Sequence, residues 1–534
     1  MEKTNKTITI LHSNDIHGKF TGKRDENGKL CGSLAQLSGY ISAVKEENPD
    51  TIYCNAGDMF QGSLIDSDFQ GLSTMQILNL MDIDVMSLGN HELDYGISHM
   101  LFVSRYANFP IVNANFLVKS NRKHLFKPHH VVQLGDVNVL FIGLITENIL
   151  DQAKTEGLVG TFVTVEDAEQ EIRRARERAV DKKGFKPDIT VLLTHIGYEA
   201  DVELAKSLPE DLGVDIIVGG HSHTYLDEPT IENGIIILQV GMENTHVGRL
   251  DLDFNTETRS IDGWKWEVIP VDEDHCQVDP FVRAMVNTYA MDIDEKYGRI
   301  ITRLKRTLDN YGRGNTTEVG QLFADAFADS LDVDVMFLAS SSTRCYTLDM
   351  TVTLQDLREA YPYDGKIYRV KVTGEMLRNM VRHMLRDEVL DDWQDVFFHT
   401  SRELKIKYDK ETKDLEIKYN GKPLEDDQII SLGLQEYYYQ TSDIGLGYTN
   451  EELEQIDEIR VVSLDAFETL KNYFSDHSDL GGRADDRLII RGPLRGRALE
   501  LNKTQKNRTY IILRPLDIKD GMLQMKGHTV KEIK

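Results

Sequence analysis

Five short segments concentrate the side chains able to hold a metal ion or move a proton. They are NDIHG with Asp15 and His17, AGDMFQG with Asp58, GNHELD with Asn90, His91 and Asp94, THIGY with His195, and GGHSHT with His221 and His223. Carboxylate, imidazole and amide oxygen are hard-to-borderline donors that suit divalent zinc, manganese or iron, and no thiolate stands among them. Such a set has room for two ions, because a bridging carboxylate can hold a pair ~3.5–4 Å apart, where they clamp the attacking and leaving oxygens of a phosphoryl displacement. Taken singly, a D-x-H or a GHSH reads more simply as a turn whose histidine is satisfied locally. Five of these segments in order, each behind an apolar run, exceed what structural needs alone produce.

The elements that must position them are legible as alternating periods. TITILH, TIYCNAG, DVMSLGN, FPIVNAN, VNVLFIGLI, DITVLLTH, DIIVGGH, IIILQVG and GRLDLDF are β-branched strand candidates between residues 7 and about 250. Between the early ones, SLAQLSGYISAVKEE and GLSTMQILNLMD place apolar residues three or four apart, the spacing of a helix face. This alternation predicts an α/β layered domain, and in such sheets ligands collect at the carboxyl ends of the strands, where the Asp, His, Asn and Gly clusters fall. The Met-rich stretch from Met75 to Met86 reads as core. From about Asp279 a long amphipathic helix is expected, with Phe281, Met285, Tyr289 and Ile293 at fourfold spacing, serving as a connector. A second α/β region follows, in which GQLFADAFADSL reads as helix and DVDVMFLAS, IYRVKVT, ELKIKYD, LEIKYN and IISLGL as strands. The expected division is a domain over residues 1–275, a linking helix over 276–308 and a smaller α/β domain over 309–534.

With 534 residues the chain can bury more than one core, and the excess of 88 acidic over 61 basic side chains leaves a formal charge of −27. A surface so acidic is unsuited to a nucleic-acid polymer or an anionic membrane, both of which ask for a basic face. VNVLFIGLI, among the longest apolar runs, is too short to cross a bilayer. Cys31, Cys54, Cys276 and Cys345 are scattered with no C-x-x-C pair, which argues against a disulfide framework or a thiolate zinc site. No apolar leader precedes TITILH, so the cytoplasm is the expected compartment, with an extracellular one following only if a signal sequence has been removed. Oligomeric state is not legible.

The order D-x-H, GD, GNHE, H, GHxH resembles that of the calcineurin-like metallophosphoesterases. TITILHSNDIHG and GNHELDYG are similar to the bacterial 5′-nucleotidase and 2′,3′-cyclic-nucleotide phosphodiesterase family. The resemblance implies a four-layer α/β sandwich for the catalytic domain, a linking helix, and a C-terminal domain that supplies the nucleotide pocket. It assigns one divalent metal to Asp15, His17, Asp58 and His223 and a second to Asp58, Asn90, His195 and His221, with Asp58 as the bridge. Manganese or zinc is expected, and iron or cobalt also suits such a donor set. His91 matches the family's catalytic histidine, which touches the phosphate, and Asp94 would orient its imidazole. The implied reaction is hydrolysis of a nucleotide phosphate ester by a metal-bound hydroxide. A pyrophosphohydrolase of nucleotide-sugars or dinucleotides, or a binding protein that kept the fold without the chemistry, are the alternatives.

In the second half the resemblance places Arg344 at the family arginine and Tyr363, within YPYDG, at a base-stacking aromatic, with Gly365 where an asparagine is expected. Matching Asp443 to the aspartate of a Gly-Gly-Asp-Gly puts Tyr437 at the second stacking aromatic, although the glycines are missing; the Tyr437–Tyr438–Tyr439 run itself reads more readily as a sheet edge than as a cage. Asn90, Arg344, Tyr363, Tyr437 and Asp443 are thus the expected substrate contacts. Two further family arginines have no counterpart around NTTEVGQL, where only Arg313 is close.

Overall fold

The computed structural model describes residues 5–25, 28–147, 149, 163–181, 186–310, 315–391, 396–481 and 487–492, together with the short pairs 518–519 and 522–523. Arg313 lies outside the described residues. The chain divides into two compact units, the first reaching to Ile300 and taking back Thr353–Glu359, the second formed by Ile301–Val352 and the chain from Ala360 on.

Two six-stranded sheets face each other in the first unit. One has the order Ser260–Pro270, His246–Asn255, Asn5–Ser13, Thr51–Asn55, Val85–Ser87, Ile111–Val112, parallel from Asn5–Ser13 onward. The other runs Thr230–Glu232, Ile235–Leu238, Ile216–Val218, Ile189–His195, Val137–Ile145, His129–Leu134, with its four central strands parallel. Period-two alternation sets the layering, because both faces of these strands are buried. Ile189, Val191 and Leu193 join Val137, Val139 and Phe141 in the apolar layer between the sheets, where Ile8 and Ile10 meet them. Leu192, Leu140, Ile142 and Leu144 point the opposite way, under the helices Ala168–Asp181 and Tyr198–Ser207 with Ile172, Ala175 and Ala205. On the far side of the first sheet, Leu34–Glu47, Leu72–Leu78 and Pro280–Tyr297 close the core around Leu37, Met75, Met86 and Val286. Helix, sheet, sheet and helix make the four expected layers, and the Met75–Met86 stretch is core as read from sequence.

The helix expected from Asp279 runs Pro280–Tyr297, capped by the Asp279 carboxylate, which accepts the Phe281 and Val282 amides at 2.8 and 3.2 Å. Its buried stripe is Val282, Val286 and Ile293, with Met285 and Tyr289 half-buried, whereas Phe281 is 75% exposed. Steps of four advance the face by ~40° each, so the row that reaches the buried Ile293 begins ~120° away at Phe281, on the exposed side. The helix packs in the core of the first unit.

The second unit is built on a five-stranded sheet, Phe398–Thr400, Val335–Ala339, Ile429–Gln435, Ile367–Thr373, Arg460–Ser463, and a smaller sheet that includes Leu404–Asp409 and Leu415–Tyr419. His399 is fully buried there, its ring edge-on to Phe397 and with neither nitrogen hydrogen-bonded. Burial, with the Arg487 charge behind it, holds the imidazole down at about 3. The unfolded chain therefore takes up a proton near pH 6.5 that the folded one refuses, so this stability is complete above pH 6.5 and is lost as pH falls below it. From pH 6.5 to 5 the loss is about 2 kcal/mol. His399→Leu should flatten the acid limb of stability by that amount in urea melts at pH 5 and pH 7.5, and an unchanged pH difference would remove His399 as its source.

Candidate metal centre

All the strand-end segments meet at one rim of the first unit. Asp15 and His17 follow Asn5–Ser13, Asp58 follows Thr51–Asn55, Asn90 and His91 follow Val85–Ser87, His195 ends Ile189–His195, and His221 and His223 follow Ile216–Val218. Asp15, Asp58, Asn90 and His195 are buried, and His223 is exposed. Asp15, His17, Asp58, His221 and His223 sit in left-handed backbone conformations, with φ of 51°, 51°, 55°, 79° and 55°. Each costs on the order of 1 kcal/mol in a non-glycine residue, and such strain persists where surrounding structure over-determines it.

Here the determination is mutual. The Asp15 and His17 amides donate to the carbonyls of Gly57 and Asp58 at 3.0 Å, and the His221 amide donates to the Asp15 carboxylate at 3.0 Å. The His91 amide donates to Asp58 Oδ1 at 2.9 Å. Gly220 lies so close that a Cβ would stand 2.7 Å from His195 Nδ1, which explains the second glycine of GGHSH.

The donor atoms converge on shared points. Asp15, His17 and His223 present ligand atoms within 4.8 Å of one another, as do Asp58, His195 and His221, and as do His17, Asp58 and His91. His17 Nε2 and His223 Nε2 face each other at 3.0 Å, and His223 Nε2 is 3.4 Å from Asp15 Oδ1. His195 bonds the Ala56 carbonyl through Nδ1 at 2.7 Å, which aims Nε2 inward; that buried atom lies 3.0 Å from Asp58 Oδ2 without hydrogen-bond geometry to any partner. His221 Nδ1 and Asn90 Oδ1 are 2.8 Å apart. An imidazole whose outer nitrogen is fixed and whose inner nitrogen points at a carboxylate is the arrangement of a metal ligand. The donor set therefore fits a pair of divalent cations, with Asp58 common to two of the groups.

Electrostatics agree. Burial alone would push the Asp58 carboxyl up, yet the imidazoles of His195, His91 and His17 hold it well below the usual carboxylate range. Burial would likewise lower His195, and the Asp58 and Asp15 carboxylates outweigh it, keeping the imidazole up at about 10. Two buried carboxylates thus draw positive charge to this rim.

Beside the ligands, His91 Nδ1 lies 2.7 Å from Asp94 Oδ2. Glu92, quoted within GNHELD but given no role there, is buried beneath this loop. An acid inside a ligand motif is the signal that could have found it. Asn14 is likewise absent from the expected set; its amide bonds Asp15 Oδ2 at 2.6 Å and the Gly241 carbonyl at 2.7 Å.

The residues expected to hold substrate in the second half fall in the second unit. Arg344 Nε donates to the Tyr363 hydroxyl at 2.8 Å, its guanidinium 5.8 Å from the centre of that ring. The Tyr437–Tyr438–Tyr439 run forms the short helix Glu436–Gln440 rather than a sheet edge, because Ile429–Gln435 ends just before it. Tyr437 is half-exposed and edge-on to Tyr438, whose hydroxyl bonds Ser341 at 2.6 Å. Asp443 is exposed on the following turn, and Gly365 is exposed near the Glu436 carboxylate.

A two-sheet sandwich with clustered Asp, Asn and His ligands at its strand ends defines a metallophosphoesterase. Residues 8–225 match the calcineurin-like phosphoesterase family and residues 296–444 match the 5′-nucleotidase C-terminal domain, together about two thirds of the chain. The chain thus joins a calcineurin-like phosphoesterase domain to a 5′-nucleotidase C-terminal domain. The 5′-nucleotidase of Mus musculus is 26% identical over 423 residues, covering 70% of this chain and 71% of that one. An apyrase of Tabanus yao is 28% identical over 417 residues, covering 70% and 73%. Among solved structures, a 5′-nucleotidase precursor from Thermus thermophilus shares the fold with a TM-score of 0.75 at 21% identity, across 91% of this chain and 100% of that one.

Proposed function

We propose that the chain is a two-metal phosphohydrolase that removes phosphate from a nucleotide or a closely related small phosphate ester. The convergence of Asp15, His17 and His223 on one point and of Asp58, His195 and His221 on another, with Asp58 also within reach of His17, carries this reading. Asn90 Oδ1, next to His221 Nδ1, completes the second group. Two divalent cations, manganese or zinc by donor type, would supply Lewis acidity at the phosphate oxygens and a water of lowered pKa.

His91 works beside them. Asp94 Oδ2 holds Nδ1, so the imidazole turns its Nε2 edge toward the phosphate, where a proton on Nε2 meets the charge that builds on a phosphoryl oxygen. Arg344, Tyr363, Tyr437 and Asp443 are assigned to nucleotide binding, and the Arg344–Tyr363 contact supports the first two as a preformed pair. A tyrosine platform can contribute about 1–3 kcal/mol to a stacked base. The cytoplasm is the compartment assigned, in keeping with four cysteines scattered without a C-x-x-C pair.

A panel of nucleoside monophosphates, cyclic nucleotides, nucleotide-sugars, dinucleotides and an aryl phosphate, read by phosphate release, tests the assignment. Chelation should abolish turnover of every active ester, and added manganese should restore it. Activity that survives exhaustive chelation would exclude the two-metal reading. A preference for the diphosphate substrates would replace the monoesterase assignment with a pyrophosphohydrolase.

A further inference from the structure

Glu92 is 1% exposed, and its carboxylate accepts four backbone amides. Oε2 takes the Asp58 and Gly89 N–H groups at 2.9 and 2.6 Å, and Oε1 takes those of Met59 and Phe60 at 2.7 and 3.2 Å. Three consecutive amides of the Asp58 loop and one of the loop carrying Asn90 and His91 therefore end on a single buried side chain. Buried backbone amides need partners, and here no sheet or helix supplies them. The loops also touch directly: a Cβ on Gly89 would stand 2.1 Å from Asp58 Oδ1, and the His91 amide bonds that same oxygen. Asp58 is thus held at its amide by Glu92 and at its carboxylate by His91, in a backbone conformation with φ of 55° that it would otherwise leave.

We infer that Glu92 is the positioning residue that sets the spacing between the shared ligand Asp58 and the Asn90–His91 loop before any ion binds. Both its oxygens are spent on backbone amides, so it acts through the two loops it joins. The inference rests on the two-metal reading and adds a residue outside the ligand set. Without Glu92 the amides of Asp58, Met59, Phe60 and Gly89 lose their shared partner, and more of the ordering of the donor groups falls to the cation itself, which lowers affinity.

Glu92→Gln keeps size and one carbonyl oxygen but turns an amide N–H₂ against two backbone donors. Glu92→Asp keeps the charge and is one methylene too short to span both loops. Manganese titration of the chelator-stripped protein by calorimetry, beside circular-dichroism melts and turnover across manganese concentration, separates the outcomes. Both variants should fold and bind manganese about 10–100-fold more weakly, the range for residues that orient ligands, with turnover largely recovered at saturating manganese. Folded variants with wild-type manganese affinity would overturn the inference and leave the metal reading intact. Loss of fold in both would make Glu92 a stability residue and overturn it as well. A wild-type chain that takes up no manganese would remove the metal centre and the inference together.

Discussion

His91→Ala is expected to lower turnover by ~10²–10³ while both metal ions stay bound, the usual cost of removing one donor aimed at developing charge. The geometry makes this a real choice between two roles. His91 stands within ligand distance of His17 and Asp58, its ring centroid 5.2 Å from that of His17, so proximity alone would admit it as a ligand. Its Nδ1, however, is engaged with Asp94 at 2.7 Å, and its own amide is spent on the Asp58 carboxylate. The ligand sets proposed for the two cations are complete without it. Removal of the imidazole should therefore leave metal content at two per chain and the Michaelis constant little changed, with the loss carried by kcat, as expected of an interaction made in the transition state. Metal analysis of the purified variant alongside its kinetics decides the matter. A variant that loses an ion together with its activity would make His91 a ligand.

The strand ends were legible because each ligand cluster directly follows a run of apolar, β-branched residues, and the sheet brings successive carboxyl ends to one rim. Ile189–His195 is the clearest instance: alternation along the strand fixes both its faces in apolar layers and leaves only its last residue, His195, to point at the site. What sequence spacing could not carry was anything built from backbone donors. Glu92 is marked in GNHELD only as an acid among ligands, and its role exists only because two loops distant in sequence turn their amides inward. Phe281 failed for a geometric reason, since three fourfold steps turn a helix face by ~120° and the row that ends on the buried Ile293 starts on the exposed side. The return of Thr353–Glu359 to the first unit leaves no compositional mark, because so short a segment shows no period of its own. In the second unit the departures at Gly365 and around Asp443 removed the landmarks by which a pocket would be read, and Tyr437 is placed by counting alone. Its presence on a helical turn beside Tyr438 follows from where the preceding strand stops.

The largest effect should come from Asp58→Asn, which is expected to empty both metal positions and to depress turnover at least as far as His91→Ala. Asparagine is the informative replacement because the backbone at residue 58 is left-handed, with φ of 55°, and asparagine tolerates that region whereas alanine would add strain of its own. It also keeps an oxygen able to accept the His91 amide, so the loop contact at 2.9 Å need not be lost. What disappears is charge and one of the two anionic oxygens that would be offered to the cations. A neutral amide cannot offer an anionic oxygen to each of two cations, and their mutual repulsion is then no longer offset at the position they share. The same change strips His195 of the neighbour that most strongly favours its proton, so in the metal-free variant that imidazole should titrate lower. His223→Ala provides the contrast, since His223 belongs to one ligand group alone and its loss should vacate one position. Metal content by atomic emission, measured on chelator-stripped and manganese-reloaded protein, should give close to none for Asp58→Asn and about one ion for His223→Ala. Two ions retained in Asp58→Asn would mean that the positions do not share this carboxylate and that the ligand groups must be redrawn.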